Sequence, residues 1–284
     1  MDSTIKKRSA VMAGWLSRQD ASLFISDVSV EAALLARLFG LPTVMVRQAG
    51  SRWDRPHRLA FDVASGILAP YPELLDGEDT PEDIRRKTHY SGFITAAGAP
   101  MSRRPARRWL GLDLDRPTLV IALGAGGTTF PLPRLERLPD SLPGWSVIVV
   151  GERRPAVDDA AGGRRVRRVG WVPDVMPYLS AADVVATHGG TNLVAQTASV
   201  GRPLIAVAED RPFDEQRCRV DALRRHRLAV GLTRWPRPEE WPERLAQALE
   251  IGGSPLHSLV DPNALTRTTE WLRSLASNSP PAAA

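Results

Sequence analysis

Short apolar runs that stop at a glycine or proline, and that alternate with helical stretches, constrain the fold of this 284-residue chain most tightly. The clearest is Thr118-Leu119-Val120-Ile121-Ala122-Leu123, which runs straight into Gly124-Ala125-Gly126-Gly127-Thr128. Ser146–Val150 repeats the pattern and stops at Gly151, and Val166–Val169, Val184–Thr187 and Leu204–Val207 continue it. Near-continuous apolar strands are covered on both faces, as in parallel sheets with crossover helices. The expected class is therefore α/β.

The first part of the chain has the same grammar. A helix is expected over Ile5–Arg18, then a strand over Leu23–Asp27, then a helix over Val30–Phe39 that Gly40 and Pro42 close. Thr43–Val46 reads as a strand, His57–Ala64 as a helix and Ile67–Ala69 as a strand stopped by Pro70. Residues 96–116 hold Gly98, Pro100, Pro105 and a run of arginines, with little apolar periodicity, and read as a connector. The predicted division is a first domain at 1–100, a linker at 101–116, a second domain at 117–276 and a frayed tail at 277–284.

Composition narrows the function classes. With one cysteine, Cys218, no disulfide framework forms within the chain, and a reducing cytoplasm is the simplest home. No apolar run approaches the ~18 residues of a membrane span, and Arg18, Gln19 and Asp20 follow the basic N-terminus where a signal core would continue. The formal charge is +5, nearly all from arginine. The arginines are scattered, without an aromatic-interleaved stripe, which argues against nucleic acid. They leave open attraction to nucleotide phosphates or to an anionic membrane surface.

Four segments could carry chemistry. In Thr187-His188-Gly189-Gly190-Thr191-Asn192 a strand turns into a helix through two glycines. Free N–H groups and a positive dipole end there suit a diphosphate, and His188 can donate to a phosphate oxygen. The same residues equally fit a plain turn capped by Thr191 or Asn192. Trp171, after a strand, can stack on a nucleobase while the backbone of Val172 reads its edge, or it can simply pack. Glu209–Gln216 follows a strand end, where open α/β sheets bind ligands, and its carboxylates and amide suit sugar hydroxyls; alternatively Asp214 only caps the next helix. Gly126, Gly127 and Thr128 lie on a glycine loop without a P-loop lysine or a GxGxxG fingerprint, which disfavours ATP and NAD.

The order of these segments, followed by Gly201-Arg202-Pro203 and ending in Asp214-Glu215-Gln216, resembles the C-terminal domain of GT-B glycosyltransferases. It looks closest to the UDP-dependent glucosyl- and glucuronosyltransferases and to the bacterial N-acetylglucosaminyltransferase that makes lipid II. The resemblance covers about residues 117–275. It implies two Rossmann-like domains with parallel sheets. It places the donor base at Trp171 and Val172, the diphosphate at His188, Gly189 and Gly190 with Thr191 and Asn192 beside it, and the ribose at Gln196, where the family usually has Glu. It places the transferred sugar at Glu215 and Gln216. Leu193 stands where many plant-type relatives have a phosphate-contacting Ser.

In the first part, Phe24-Ile25-Ser26-Asp27, Gly40-Leu41-Pro42, Val46-Arg47-Gln48 and Ala69-Pro70-Tyr71-Pro72 are similar to the later half of the family's N-terminal domain. The resemblance makes Asp27 a base or an orienting carboxylate. It also makes the N-terminal domain incomplete, with roughly the first 90–100 residues of a usual member unmatched. The implied reaction is transfer of a sugar, with inversion, from a nucleotide-diphosphate donor, a UDP-sugar first of all, to an acceptor hydroxyl. It uses no metal or other cofactor. The acceptor is a small molecule or lipid-linked, with contact to the inner membrane face left open. Two alternatives stay beside it. One is a nucleotide-sugar-binding half-enzyme or inactive homologue that needs a partner chain or self-association. The other is a UDP-sugar 2-epimerase, which Thr187-His188-Gly189-Gly190 and Gln196 disfavour.

Overall fold

The computed structural model describes residues 3–95, 100–124, 128–130, 132–151 and 166–277. Gly126, Gly127 and residues 278–284 of the expected tail lie outside the described residues. Contacts divide the chain into one unit of Met1–Ile94 with Pro262–Ala284 and a second of Thr95–Asp261.

The first unit is a parallel sheet in the order β1 (Phe24–Asp27), β2 (Thr43–Val46), β3 (Gly66–Ala69) and β4 (Thr88–Tyr90). Helix α1 (Ser3–Leu16) precedes β1, and α2 (Val30–Leu38), α3 (Arg55–Val63) and α4 (Glu82–Lys87) connect the successive strands. Local chemistry starts two of them. Ser29 accepts from Ala32 N–H at the head of α2, and Asp54 accepts from His57 N–H at the head of α3, where Pro56 fits the first turn. Ala33, Met45, Ala60, Phe61, Ile67 and Ile84 form the core.

The second unit is a six-stranded parallel sheet in the order β10-β9-β8-β5-β6-β7. Its strands are β5 (Thr118–Ala122), β6 (Ser146–Val150), β7 (Val166–Gly170), β8 (Val184–His188), β9 (Leu204–Val207) and β10 (Val230–Leu232). Its helices are α5 (Arg103–Trp109), α6 (Leu138–Ser141), α7 (Met176–Ala181), α8 (Thr191–Val200), α9 (Glu215–Arg225), α10 (Trp241–Ile251) and α11 (Ser254–His257). Every residue of β5 and β8 is buried, as strands covered on both faces require. The chain builds outward from β5 through β6 to β7, then crosses back to β8 on the other side of β5. The strand order thus reverses between β5 and β8, and a ligand crevice forms outside the strand C-termini at such a point.

Two expectations change. Part of the expected linker is helix α5, fastened to the second unit by the buried Arg107. Its guanidinium donates to the carbonyls of Ala181 (3.0 Å) and Leu114 (2.7 Å) and to the Asp183 carboxylate. Asp183 also takes the Thr118 N–H at 2.7 Å, so one carboxylate ties α5 to the start of the sheet. The last helix, α12 (Ala264–Ser277), belongs with the first unit rather than with residues 117–261. Trp271 stacks on His89 of β4 at 4.6 Å, and Thr268 Oγ1 meets the His89 ring at 3.2 Å. A Cβ on Gly66 would lie 2.6 Å from the Trp271 ring, so this approach requires glycine. No helix among the described residues is long and apolar enough to cross a membrane.

Candidate functional site

The strand C-termini at the β5/β8 reversal bring most of the second unit's candidate residues together. His188 ends β8 beside Val207 of β9, and Thr187 Oγ1 donates to Ala122 O of β5 at 2.8 Å. Gly189 and Gly190 then turn the chain into α8. The two glycines do different work. A Cβ on Gly189 would lie 2.6 Å from Val220 Cγ2 and 3.0 Å from Gln216 O, so this glycine admits α9. A Cβ on Gly190 would meet nothing within 4 Å among the described residues. Gly190 is the N-cap of α8 and has no side chain to cap it, so neither Thr191 nor Asn192 occupies the cap position. A helix N-terminus headed by glycine presents a positive dipole end and backbone N–H groups suited to an anion.

His188 is 3% exposed and its ring turns inward, unlike the phosphate donor expected from sequence. Nδ1 accepts from Gly124 N–H at 3.4 Å. Nε2 lies 3.2 Å from Glu209 Oε1, outside hydrogen-bond geometry, and has no hydrogen-bond partner.

Glu209 is the residue that sequence reasoning underrated. It stood in a candidate segment beside Asp210, with the same charge and no distinguishing signal. The Glu209 side chain is 2% exposed and that of Asp210 98%. Oε1 accepts from Thr129 N–H (2.7 Å), Thr128 Oγ1 (2.9 Å), Thr129 Oγ1 (3.2 Å) and Trp235 Nε1 (3.3 Å). Burial pushes this carboxyl up, but the His188 ring, Thr129 N–H and Thr128 hydroxyl outweigh it and hold the carboxyl down at about 2. Glu209 N–H donates to Gln216 Oε1 at 3.1 Å. A cavity of about 300 Å³ opens beside Glu209, lined also by Thr129, Arg134, Asp210, Thr233 and Trp235. Its mixed donors and acceptors suit a polyhydroxyl group.

The other candidates stand further off. Trp171 is 65% exposed just beyond β7, three strands from β8, with Val172 half-buried beside it. Gln196 is half-buried on α8 and Asn192 is exposed in its first turn. Glu215 opens α9 with an oxygen 3.8 Å from the buried Arg219, whose Nη1 donates to Gly189 O at 2.6 Å. Asp214 caps nothing: it and Phe213 take left-handed backbone angles before α9. Asp27 is exposed at the end of β1 in the first unit, followed by Val28 at φ 60°. A β-branched residue there is strained, a feature that accumulates at functional positions. Among the described residues, no group of three or more His, Cys, Asp and Glu could hold a metal ion.

No family model matches the chain. Two curated relatives, from Rubrobacter xylanophilus and Thermus thermophilus, bear one name: UDP-N-acetylglucosamine–N-acetylmuramyl-(pentapeptide) pyrophosphoryl-undecaprenol N-acetylglucosamine transferase. The first is 28% identical over 196 residues, 66% of this chain and 54% of the relative. The second is 30% identical over 176 residues, 61% of this chain and 48% of the relative. The chain thus spans about half the length of these curated relatives. Among solved structures, a glycosyltransferase of kitacinnamycin superposes with a TM-score of 0.69 at 15% identity, covering 98% of this chain and 84% of that one. By fold the chain is a GT-B protein, and its curated relatives are glycosyltransferases.

Proposed function

We propose that the chain takes a sugar from a UDP-sugar and transfers it to an acceptor hydroxyl. The observation that carries this reading is the glycine-headed N-terminus of α8, set at the strand-order reversal, where a Cβ on Gly190 would meet no atom of the described residues. In the proposed complex, the backbone N–H groups at Thr191 and Asn192 take the diphosphate. His188 and Gly189 shape the turn beneath it. Trp171 and Val172 take the base, and Gln196 the ribose. Glu215 and Gln216 take the sugar, with Thr128 at the rim.

The acceptor oxygen attacks the anomeric carbon and the carbon–diphosphate bond breaks, so configuration inverts. The α8 dipole stabilises the charge gained by the leaving diphosphate. Asp27 is the proposed base, or the carboxylate that orients one. The proposal includes no metal or other cofactor.

The names of the relatives support UDP as the nucleotide, transfer over epimerisation, and a lipid-linked acceptor; approach to that acceptor from the cytoplasmic membrane face is part of the proposal. The test is UDP release from UDP-sugars with lipid-linked or small hydroxyl acceptors, with the product's anomeric configuration read by NMR. Acceptor-dependent UDP release with inversion is expected. Release without a glycosylated product, or retained configuration, would contradict the proposal.

A further inference from the structure

One residue outside the proposed ligand contacts joins four of the segments around them, three through its side chain and one through its backbone N–H. Glu209 Oε1 holds the end of the β5 loop through Thr129 N–H and the Thr128 and Thr129 hydroxyls. It holds the chain beyond β10 through Trp235 Nε1, and the Trp235 ring meets the His188 ring edge-on at 5.7 Å. It faces His188 Nε2 at 3.2 Å. Its own N–H fixes Gln216 Oε1. His188 in turn takes Gly124 N–H on Nδ1, so Gly124 is tied to the ring while Thr128 and Thr129 are tied to Glu209. A ring nitrogen that accepts leaves the proton of a neutral imidazole on the other nitrogen, here Nε2, the nitrogen nearer the carboxylate.

We propose that Glu209 is a positioning residue of the donor site, bracing Thr128, Thr129, His188 and Gln216 in one geometry before the nucleotide arrives. This rests on the donor-site reading above. A buried carboxylate close to an anion site opposes the anion by charge alone. It is tolerated because four N–H and O–H donors converge on one of its oxygens. Its contribution is order: Thr128, Thr129 and the His188 ring need not be fixed at the moment of binding.

The test uses the full chain and two readouts. Long-range ¹H–¹⁵N correlation spectra report the His188 tautomer, and titration calorimetry reports UDP affinity. Wild type is expected in the Nε2–H form. In Glu209→Ala the Nε2–H form, then held by the Gly124 N–H alone, is less favoured, and UDP binding weakens about tenfold, because buried donors lose their acceptor. Glu209→Gln keeps an oxygen acceptor and is expected to recover most of both. A folded Glu209→Ala with wild-type tautomer and wild-type affinity would overturn the proposal. Should Glu209→Ala not fold, the Thr128→Val/Thr129→Val pair decides: it removes two hydroxyls from exposed positions, and unchanged UDP affinity would overturn the brace. If wild type binds no UDP, the donor-site reading fails, while the tautomer of His188 in the Glu209 variants still decides the brace.

Discussion

At the scale of single residues, the two glycines of the β8–α8 turn separate packing from binding. Gly189→Ala drives a methyl toward Val220 Cγ2 and Gln216 O, and is expected to cost about 1–3 kcal/mol in urea unfolding. Gly190→Ala meets nothing and is expected to stay within about 0.5 kcal/mol of wild type. Equal losses in both would contradict the geometry. The sequence marks both positions only as a Gly-Gly turn, because what distinguishes them is helix α9, some thirty residues later. The same blindness hid Glu209. Adjacent Glu209 and Asp210 have one chemistry in sequence, and only the fold buries the first and leaves the second in water.

At the scale of elements, two buried ionic contacts do different jobs. In the first unit Arg47, wholly buried, pairs with Asp76 through both nitrogens, at 2.5 and 3.1 Å, and Tyr90 and Tyr71 hydroxyls donate to the same carboxylate. Burial raises the Asp76 carboxyl, but the Arg47 guanidinium, Tyr90 and Gly77 N–H outweigh it and hold it below the usual carboxylate range. A carboxyl lowered by folding contributes stability that is full above its unfolded value, about 3.9, and is lost as pH falls through the lower folded value. Wild type is therefore expected to lose unfolding free energy as pH drops below about 4, and Asp76→Asn to lack this component of the dependence. Parallel pH–stability curves for the two would contradict it. In the second unit, Arg107→Ala removes the buried partner of Asp183, which keeps Arg103 at 2.5 Å and the Thr118 N–H, and is expected to cost about 1–3 kcal/mol in thermal or urea unfolding.

Strands β5, β6, β8 and β9 were legible because they are unbroken apolar runs. Strands β4 and β10 were not: Thr88-His89-Tyr90 is polar, Val230-Gly231-Leu232 carries a glycine, and each is held at a sheet edge by pairing with one neighbour. Helix α5 was lost in its arginines, since the burial of Arg107 depends on the distant Asp183.

At the scale of the whole molecule, sequence order was enough for the α/β class and for the GT-B resemblance of the second unit. It was not enough for the return of α12. An amphipathic helix advertises an apolar face and not the unit that accepts it; Gly66 and His89 make the first unit the acceptor. Replacing Gly66 with alanine is expected to loosen α12 and raise amide hydrogen exchange across Ala264–Ser277, leaving β5 and β8 protected. Exchange rising equally in both units would contradict that placement. The proposed diphosphate site at the head of α8 lies in the second unit, and calorimetric titration of the full chain with UDP and UMP tests it. Saturable one-to-one binding of UDP is expected, with UMP bound at least about tenfold more weakly, the equivalent of about 1.4 kcal/mol, because UMP lacks a phosphate for the helix end. No binding of UDP, or equal affinity for UDP and UMP, would contradict it.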